Sequence, residues 1–278
     1  MKIWVAILLG LVQGIAEFLP ISSSGHLSIL QNLFELNTAE GGHLFFDVLL
    51  HLGTLISVCV VYRRDIVEIF REVVATIREI KHPSPEERRP SSARRLIFMI
   101  VIATLPLLVA LPFKGFVETL YSNTFFIGAA LLLTGVILYI SDKVASGKKT
   151  AKNMTVKDAV IIGACQALAI VPGLSRSGTT ITAGVMTGLN REFAVKFSFL
   201  ISLPAILGAN LMELFGALKE GIDTSLMPAY LIGTAVAMVS GFFAINLVRT
   251  LSRRGKFGKF AYYCWGVGIL AILLTIVL

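Results

Sequence analysis

Charged residues are scarce in this sequence, and their scarcity is the first guide to its surroundings. Asp, Glu, Lys and Arg make up 15% of the 278 residues, whereas about a quarter of the residues of a soluble domain are charged. The hydrophobic fraction is 55%, and the mean hydropathy is +0.81. These values exclude a typical soluble domain, because water is not the main solvent of such a chain.

Cysteine pairs and strand-like alternation are also lacking. Cys59, Cys165 and Cys264 lie in apolar segments without the spacing of a metal site or a disulfide framework, and we expect them to be small core residues. The long apolar runs show none of the alternation of a membrane β-barrel, so the membrane spans are predicted to be helices. No Ala-x-Ala cleavage site follows the apolar stretch 1–12, which we interpret as part of the mature chain.

Six apolar stretches reach or approach the roughly 20 residues that a helix needs to cross about 30 Å of hydrocarbon. They are Phe45–Tyr62, Leu96–Pro112, Phe125–Ile140, Phe197–Phe215, Tyr230–Val248 and Phe260–Leu278. The sequence therefore predicts an all-α polytopic membrane protein with six transmembrane helices, forming a single integral membrane domain over residues 1–278.

The net charge of +8 is concentrated in three loops. Residues 63–95 carry nine Lys and Arg, whereas 142–157 and 249–259 carry five each, and 113–124 and 217–228 carry one each. By the positive-inside rule, the three basic loops are predicted to be cytoplasmic. The basic residues do not form one face with interleaved aromatics, so nucleic acid is not expected as a partner.

The first basic loop contains the stretch DIVEIFREVVATIREI, followed by a linker that contains prolines. Its apolar and charged residues alternate at helical spacing, which is typical of a helix lying in the membrane interface. We expect this helix and linker to be attracted to anionic lipid headgroups.

Two further apolar segments are interrupted by Pro, Gly and Ser after about half a membrane thickness. They read LLGLVQGIAEFLPISSSGHLSIL and IIGACQALAIVPGLSRSGTTITA, and aligning Gly10 with Gly163 places a second glycine fifteen residues later in both. The similarity predicts a duplicated unit, with repeat one at about 1–62 and repeat two at about 158–216. The predicted sides of the basic loops give the two repeats inverted topologies.

Each broken segment is predicted to form a re-entrant helical hairpin, and hairpins that enter from opposite faces meet near the middle of the membrane. Non-helical backbone is tolerated at that depth only where it is buried in protein or lines a wet cavity. The tips, Ser22–Gly25 and Gly173–Gly178, are therefore predicted to border a polar pocket. Each tip starts a helix whose N-terminus attracts anions, so the pocket is a predicted anion site.

Arg176 and Glu17 are costly charges at this depth unless they have a function. The Arg176 guanidinium suits phosphate oxygens; its alternatives are snorkelling to the interface or a purely structural pair with Glu17. Glu17 could act as a general base, hold a divalent cation or orient a histidine; its alternative is the same structural pair. Gln13, one turn earlier, could orient a ligand or water.

Ser23 and His26 are three residues apart at the start of a helix, so the hydroxyl and the imidazole could serve one site. Ser23 is a candidate nucleophile if His26 or Glu17 takes its proton, although a capping role explains a serine there equally well. Asp47 and His51 could support the site from the first full span, but a pair at the membrane interface is the favoured interpretation.

The motif Gln13-x-x-x-Glu17, the stretch FLPISSSGH at 18–26 and the stretch PGLSRSGTT at 172–180 resemble the two signatures of the undecaprenyl-diphosphate phosphatase family, which is also known for bacitracin resistance. The resemblance implies hydrolysis of a polyprenyl diphosphate lipid to the monophosphate carrier used in cell-wall synthesis, in the bacterial plasma membrane. The family pattern allows Glu or Gln at position 13, so this chain has one carboxylate fewer, which weakens joint metal binding by Gln13 and Glu17.

The resemblance implies that the family's functional positions are Glu17, Ser23, His26, Ser175, Arg176, Ser177 and Thr180 in this chain. The predicted catalytic residues are Glu17, Ser23, His26 and Arg176, and the predicted substrate-binding residues are Gln13, Ser22, Ser24, Ser175, Ser177 and Thr180. The resemblance also implies a Mg²⁺ or Ca²⁺ ion held by Glu17, and the predicted topology opens the site toward the outer face. A lipid-phosphate flippase or anion transporter is the alternative, because broken helices in inverted repeats also build transporter sites. The sequence leaves open whether two copies of the chain form a homodimer.

Overall fold

A computed structural model describes residues 1–34, 42–81, 91–255 and 257–277. The described chain is helical, with short 3₁₀ turns at Leu111–Phe113 and Thr224–Leu226. The α-helices in chain order are α1 (Ile3–Phe18), α2 (Ser23–Leu33), α3 (Gly42–Val61), α4 (Arg63–Lys81), α5 (Ser92–Thr104), α6 (Pro106–Ala110), α7 (Lys114–Leu120), α8 (Thr124–Lys143), α9 (Val156–Leu168), α10 (Arg176–Met186), α11 (Arg191–Glu220), α12 (Met227–Arg254) and α13 (Gly258–Val277).

Six helical segments are long and apolar enough to cross a membrane, and they confirm the six predicted spans. They are α3, the run from α5 to α7, α8, α11, α12 with the turn before it, and α13. The second span is segmented because Pro106 and Pro112 lack the backbone N–H that a continuous helix needs. The protein is a helical multi-pass membrane protein.

The two broken segments fold as two pairs of short helices, α1 with α2 and α9 with α10. Helix α1 has 16 residues and α9 has 13, while α2 and α10 have 11 each. An 11-residue helix is only about 17 Å long, which is too short to cross the hydrocarbon. Each pair precedes a longer helix, α3 or α11, as the duplicated unit predicts. The inverted topology and the re-entrant path stay predictions.

Close packing against α12 fixes the position of α1. A methyl group added at Gly14 would lie 2.0 Å from Ser240 Oγ and 2.4 Å from the Ala237 carbonyl oxygen. One added at Gly10 would lie 2.3 Å from the Gly233 carbonyl oxygen. Only glycine allows the two backbones to approach this closely, as is common between membrane helices. The carboxyl end of α1, which carries Glu17, is therefore held against the middle of α12.

The amphipathic stretch of the first basic loop forms α4, as predicted. Arg94 of α5 donates hydrogen bonds to Glu72 Oε1 (3.1 Å) and Glu79 Oε2 (2.5 Å), which tie α4 to the bundle. Phe70 and Ile77 remain exposed, at 68% and 51%. The predicted linker falls mainly at residues 82–90, outside the described residues.

Candidate functional site

The two broken segments touch at their tips. The Ser177 hydroxyl donates to the Leu19 carbonyl oxygen at 3.3 Å. A methyl group added at Gly25 would lie 3.0 Å from Gly173 Cα, so the two loops are in backbone contact. Positions 148 to 159 residues apart in sequence are therefore brought together where α2 and α10 begin.

Both tips cap the helix that follows in the same way. Ser22 Oγ accepts a hydrogen bond from the Gly25 amide at 3.2 Å, and Ser175 Oγ accepts one from the Gly178 amide at 3.1 Å. Ser22 also has a φ of 71°, a left-handed conformation that is unusual for a residue with a side chain. Strained backbone of this kind clusters at functional sites, where the surrounding structure holds it in place.

The second tip is supported by Thr134 of α8, a buried residue that the sequence did not single out. Its hydroxyl donates to the Gly173 carbonyl oxygen at 2.8 Å and accepts from the Ser175 amide at 3.0 Å. One hydroxyl therefore satisfies two backbone groups that would otherwise lack partners in a buried loop. A lone threonine inside an apolar span was the only signal in the sequence.

Glu17 is the hub that joins the two tips. Its Oε2 accepts hydrogen bonds from Ser23 Oγ at 2.7 Å and from Gln13 Nε2 at 3.1 Å. Its Oε1 accepts from Arg176 Nη2, and this contact is also an ion pair. The carboxylate is 7% exposed. The structure therefore brings Gln13, Glu17 and Ser23 of the first broken segment to Arg176 of the second, as predicted.

Two polar atoms at this hub are buried without a hydrogen-bond partner among the described residues. They are Arg176 Nη1 and Gln13 Oε1. An unpartnered donor of a buried guanidinium is costly, and a bound anion would satisfy it. Arg176 thus has one nitrogen for Glu17 and one for a ligand.

His26 lies in the first tip, but its ring is bonded away from Ser23. Its Nδ1 is 2.7 Å from the Ser22 carbonyl oxygen, and its Nε2 is 2.9 Å from the Tyr263 hydroxyl. A carbonyl oxygen only accepts, so Nδ1 carries a proton and donates it. Tyr263 also stacks on the imidazole at 5.6 Å between ring centres. Of the two bases considered for Ser23, only Glu17 contacts its hydroxyl here.

His51 of α3 is a site residue that the sequence interpretation undervalued. Its Nε2 lies 4.0 Å from Glu17 Oε2, while its Nδ1 donates to the Asp47 carbonyl oxygen at 2.8 Å. The interpretation of Asp47 and His51 as a pair at the membrane interface is therefore wrong for His51, because its ring borders Glu17. The Asp47 carboxylate instead accepts from Gln31 at 2.8 Å.

The remaining predicted residues surround the hub without touching Glu17. Ser24 Oγ lies 3.4 Å from Ser22 Oγ, and Ser175 Oγ lies 3.3 Å from Ser177 Oγ. Thr180 is bonded to the Arg176 carbonyl oxygen at 2.8 Å and to Ser198 Oγ at 2.7 Å, so it supports the first turn of α10.

The described donors around Glu17 do not by themselves make up the ligand set of a resident divalent ion. Both carboxylate oxygens already accept hydrogen bonds, and Gln13 contributes an amide in place of a second carboxylate. In the part of the chain that the structure describes, no group of three or more His, Cys, Asp or Glu is placed to hold a metal ion. The Mg²⁺ or Ca²⁺ ion implied by the resemblance stays a prediction.

Comparison with known proteins gives matches over nearly the whole chain. A family model described as "Bacitracin resistance protein BacA" matches residues 6–270. The chain is 43% identical to an undecaprenyl-diphosphatase of Alkaliphilus metalliredigens, with 98% of both chains covered. It is 41% identical to one of Methanobrevibacter smithii, again with 98% of both covered, and 40% identical to one of Carboxydothermus hydrogenoformans, with 97% of this chain and 96% of the relative covered. Together with the contact between the two tips at Glu17, these similarities establish that the chain belongs to the bacitracin resistance protein BacA family.

Proposed function

We propose that this protein hydrolyses undecaprenyl diphosphate to undecaprenyl phosphate and inorganic phosphate, which recycles the carrier lipid for cell-wall synthesis. The observation that carries the proposal is the contact of Glu17 with both Ser23 and Arg176, whose Nη1 is left for an anion. The names of the relatives support the same reaction. The lipid tail stays in the membrane while the diphosphate enters the polar site.

The proposed first step is attack by Ser23 Oγ on the terminal phosphorus. Glu17 Oε2 takes the hydroxyl proton, to which it is already hydrogen-bonded at 2.7 Å. The bond from phosphorus to the bridging oxygen breaks, that oxygen takes the proton from Glu17, and undecaprenyl phosphate leaves. Water then attacks the phosphoserine with Glu17 as its base, which releases inorganic phosphate and restores the Ser23 hydroxyl. A water molecule attacking directly in place of Ser23 gives the same products.

Arg176 and the N-termini of α2 and α10 stabilise the charge that develops on the transferred phosphoryl group. Phosphoryl transfer depends mainly on positioning and electrostatics, and preformed donors supply both. A divalent ion brought by the diphosphate would offset part of the negative charge of the substrate. The proposed participation of an ion rests on the chemistry of the diphosphate alone, and no step of the mechanism requires the ion.

Release of phosphate by the purified protein in neutral detergent micelles tests the function. No gradient exists there, so a flippase or anion transporter would give no turnover, whereas the proposed enzyme should release phosphate from undecaprenyl diphosphate. Absence of release from folded protein would contradict the proposal.

Ser23→Ala should lower the rate of phosphate release by about 10²-fold, with water taking over as the nucleophile. Ser24→Ala is the matched control, because Ser24 follows Ser23 in the same turn without touching Glu17. Its loss should be less than about tenfold. Equal effects of the two substitutions would remove Ser23 from its proposed role.

We further propose that the protein lies in the bacterial plasma membrane with this site opening outward, where the carrier lipid appears after its glycan is used. The basic loops support this orientation. With the exposed Cys59 replaced by serine, Ser24→Cys should react with a membrane-impermeant thiol reagent added outside intact spheroplasts. Labelling only from the cytoplasmic side would reverse the proposed orientation.

A further inference from the structure

A polar cavity lies away from Glu17, where the carboxyl ends of α3 and α12 meet the start of α4 and of α11. Its volume is about 600 Å³, which is within the usual range of ligand sites. Five basic side chains and two acidic ones line it, so its net charge is +3. The basic residues are Arg63, Arg64, Lys196, Arg249 and Arg253.

The two acidic residues are already paired within the cavity. Asp65 accepts from Lys196, and Glu192 pairs with Arg253 at 3.1 Å. Arg63, Arg64 and Arg249 form no ion pair with any residue that the structure describes, although Arg249 lies 5.6 Å from the centre of the Tyr62 ring. Three arginines that line one cavity without an ion-pair partner favour a bound anion, and their planar forks suit phosphate oxygens.

The rim of the cavity is apolar on the side of α3 and α12. Val60 and Phe242 line it and are 43% and 38% exposed, and the neighbouring Phe243 is 65% exposed. Both helices are long and apolar enough to span a membrane, so we expect these exposed side chains to face lipid. A soluble anion would leave this surface uncovered, whereas a lipid places its chain against it and its headgroup among the arginines.

Buried aromatic rings separate this cavity from the catalytic site. Tyr62 lines the cavity and packs against Phe199 at 6.2 Å, and Phe199 packs against Phe18 at 5.4 Å. Phe18 follows Glu17 in the chain, and these three rings are at most 5% exposed. Phe18 also borders Gly241 of α12, and Arg249 lies eight residues further along that helix, a distance of about 12 Å. The cavity is thus a distinct site.

We propose that the cavity at the ends of α3 and α12 binds the phosphate headgroup of an anionic lipid on the basic face of the protein. The lipid class is one with a phosphate monoester, which offers the charge and oxygens that three unpaired arginines recognise. This site does not require the proposed hydrolysis, because none of its residues touches Glu17, Ser23 or Arg176.

The test is the binding of dioleoylphosphatidate to the full chain in neutral detergent, measured by native mass spectrometry over a range of lipid concentrations. The double substitution Arg64→Gln with Arg249→Gln should weaken binding about 100-fold, or about tenfold for each arginine. Arg254→Gln is the matched control: it removes the same charge from α12 but does not line the cavity. It should change binding by less than about twofold.

Two further comparisons are needed. The first distinguishes this site from the catalytic site, and the second distinguishes binding of a lipid from binding of free phosphate. Arg176→Ala should keep phosphatidate binding, and the Arg64 and Arg249 variants should keep phosphate release, which also verifies their folding. Unchanged binding in the double variant would overturn the proposal. So would competition by inorganic phosphate at the same concentration as phosphatidate, because the site would then recognise the anion without the lipid.

Discussion

Arg176→Ala should lower kcat/KM for phosphate release from undecaprenyl diphosphate by about 10⁴-fold, within the range measured when a transition-state arginine is removed. Arg176 contacts Glu17 from the second tip, and its Nη1 has no hydrogen-bond partner among the described residues. Alanine removes the charge that stabilises the transferred phosphoryl group and leaves Glu17 unpaired. Release of inorganic phosphate under single-turnover conditions measures the loss.

Arg176→Lys is the control for charge alone. Lysine keeps the positive charge, but a single ammonium group does not reproduce a planar fork with one nitrogen on Glu17 and another on phosphate. We expect it to recover no more than about tenfold of the activity lost in Arg176→Ala. Full activity in Arg176→Lys would show that the forked geometry is not needed.

Glu17→Gln should lower kcat/KM by about 10³-fold, because an amide does not take the proton of Ser23. The same substitution leaves Arg176 without its carboxylate in a buried setting, where Glu17 is 7% exposed and Arg176 is 15% exposed. Breaking a buried pair costs roughly 3 kcal/mol or more, so the thermal midpoint in micelles should also fall. Initial rates and thermal unfolding followed by intrinsic fluorescence separate the two effects.

Glu17→Asp is the matched variant for Glu17, because it keeps the charge and shortens the side chain by one methylene. Its stability should be closer to that of the original chain than the stability of Glu17→Gln. Its rate should still fall, since the carboxylate no longer reaches Ser23 Oγ at 2.7 Å. A Glu17→Gln enzyme that is unstable yet fully active would limit Glu17 to a structural role.

The sequence predicted the membrane spans well because they depend on one property. A run of about 20 apolar residues must form a helix in lipid, whatever its neighbours are. The breaks were equally predictable, since Pro, Gly and Ser in α1–α2 and α9–α10 stop a helix locally. The capping serines Ser22 and Ser175 follow from the same chemistry.

The meeting of Glu17 with Arg176 was predictable only through the repeat and the resemblance. The two residues are 159 positions apart, and no local pattern records a distance between two segments. Once both tips were expected at one pocket, two costly charges at the same depth implied a partner for each. The orientation of the hairpins in the membrane depends on charge bias alone and stays a prediction.

The sequence did not predict how His26 and His51 are used. His26 is three residues from Ser23, but the start of α2 directs its ring to the Ser22 carbonyl and to Tyr263, from the last span. His51 borders Glu17 because α3 packs beside α1, a tertiary contact that spacing within α3 does not contain. Thr134 and Tyr263 were missed for the same reason, since their partners lie on segments distant in the sequence.

A double-mutant cycle on Glu17 and Arg176 tests most directly whether the two tips act as one site. The kcat/KM for phosphate release is measured for the original chain, Glu17→Gln, Arg176→Ala and the double variant. The account predicts that the double variant is about as slow as Arg176→Ala, because groups that act as a unit are lost together. Losses that multiply, to about 10⁷-fold, would show that the two residues act independently, and would contradict a shared site.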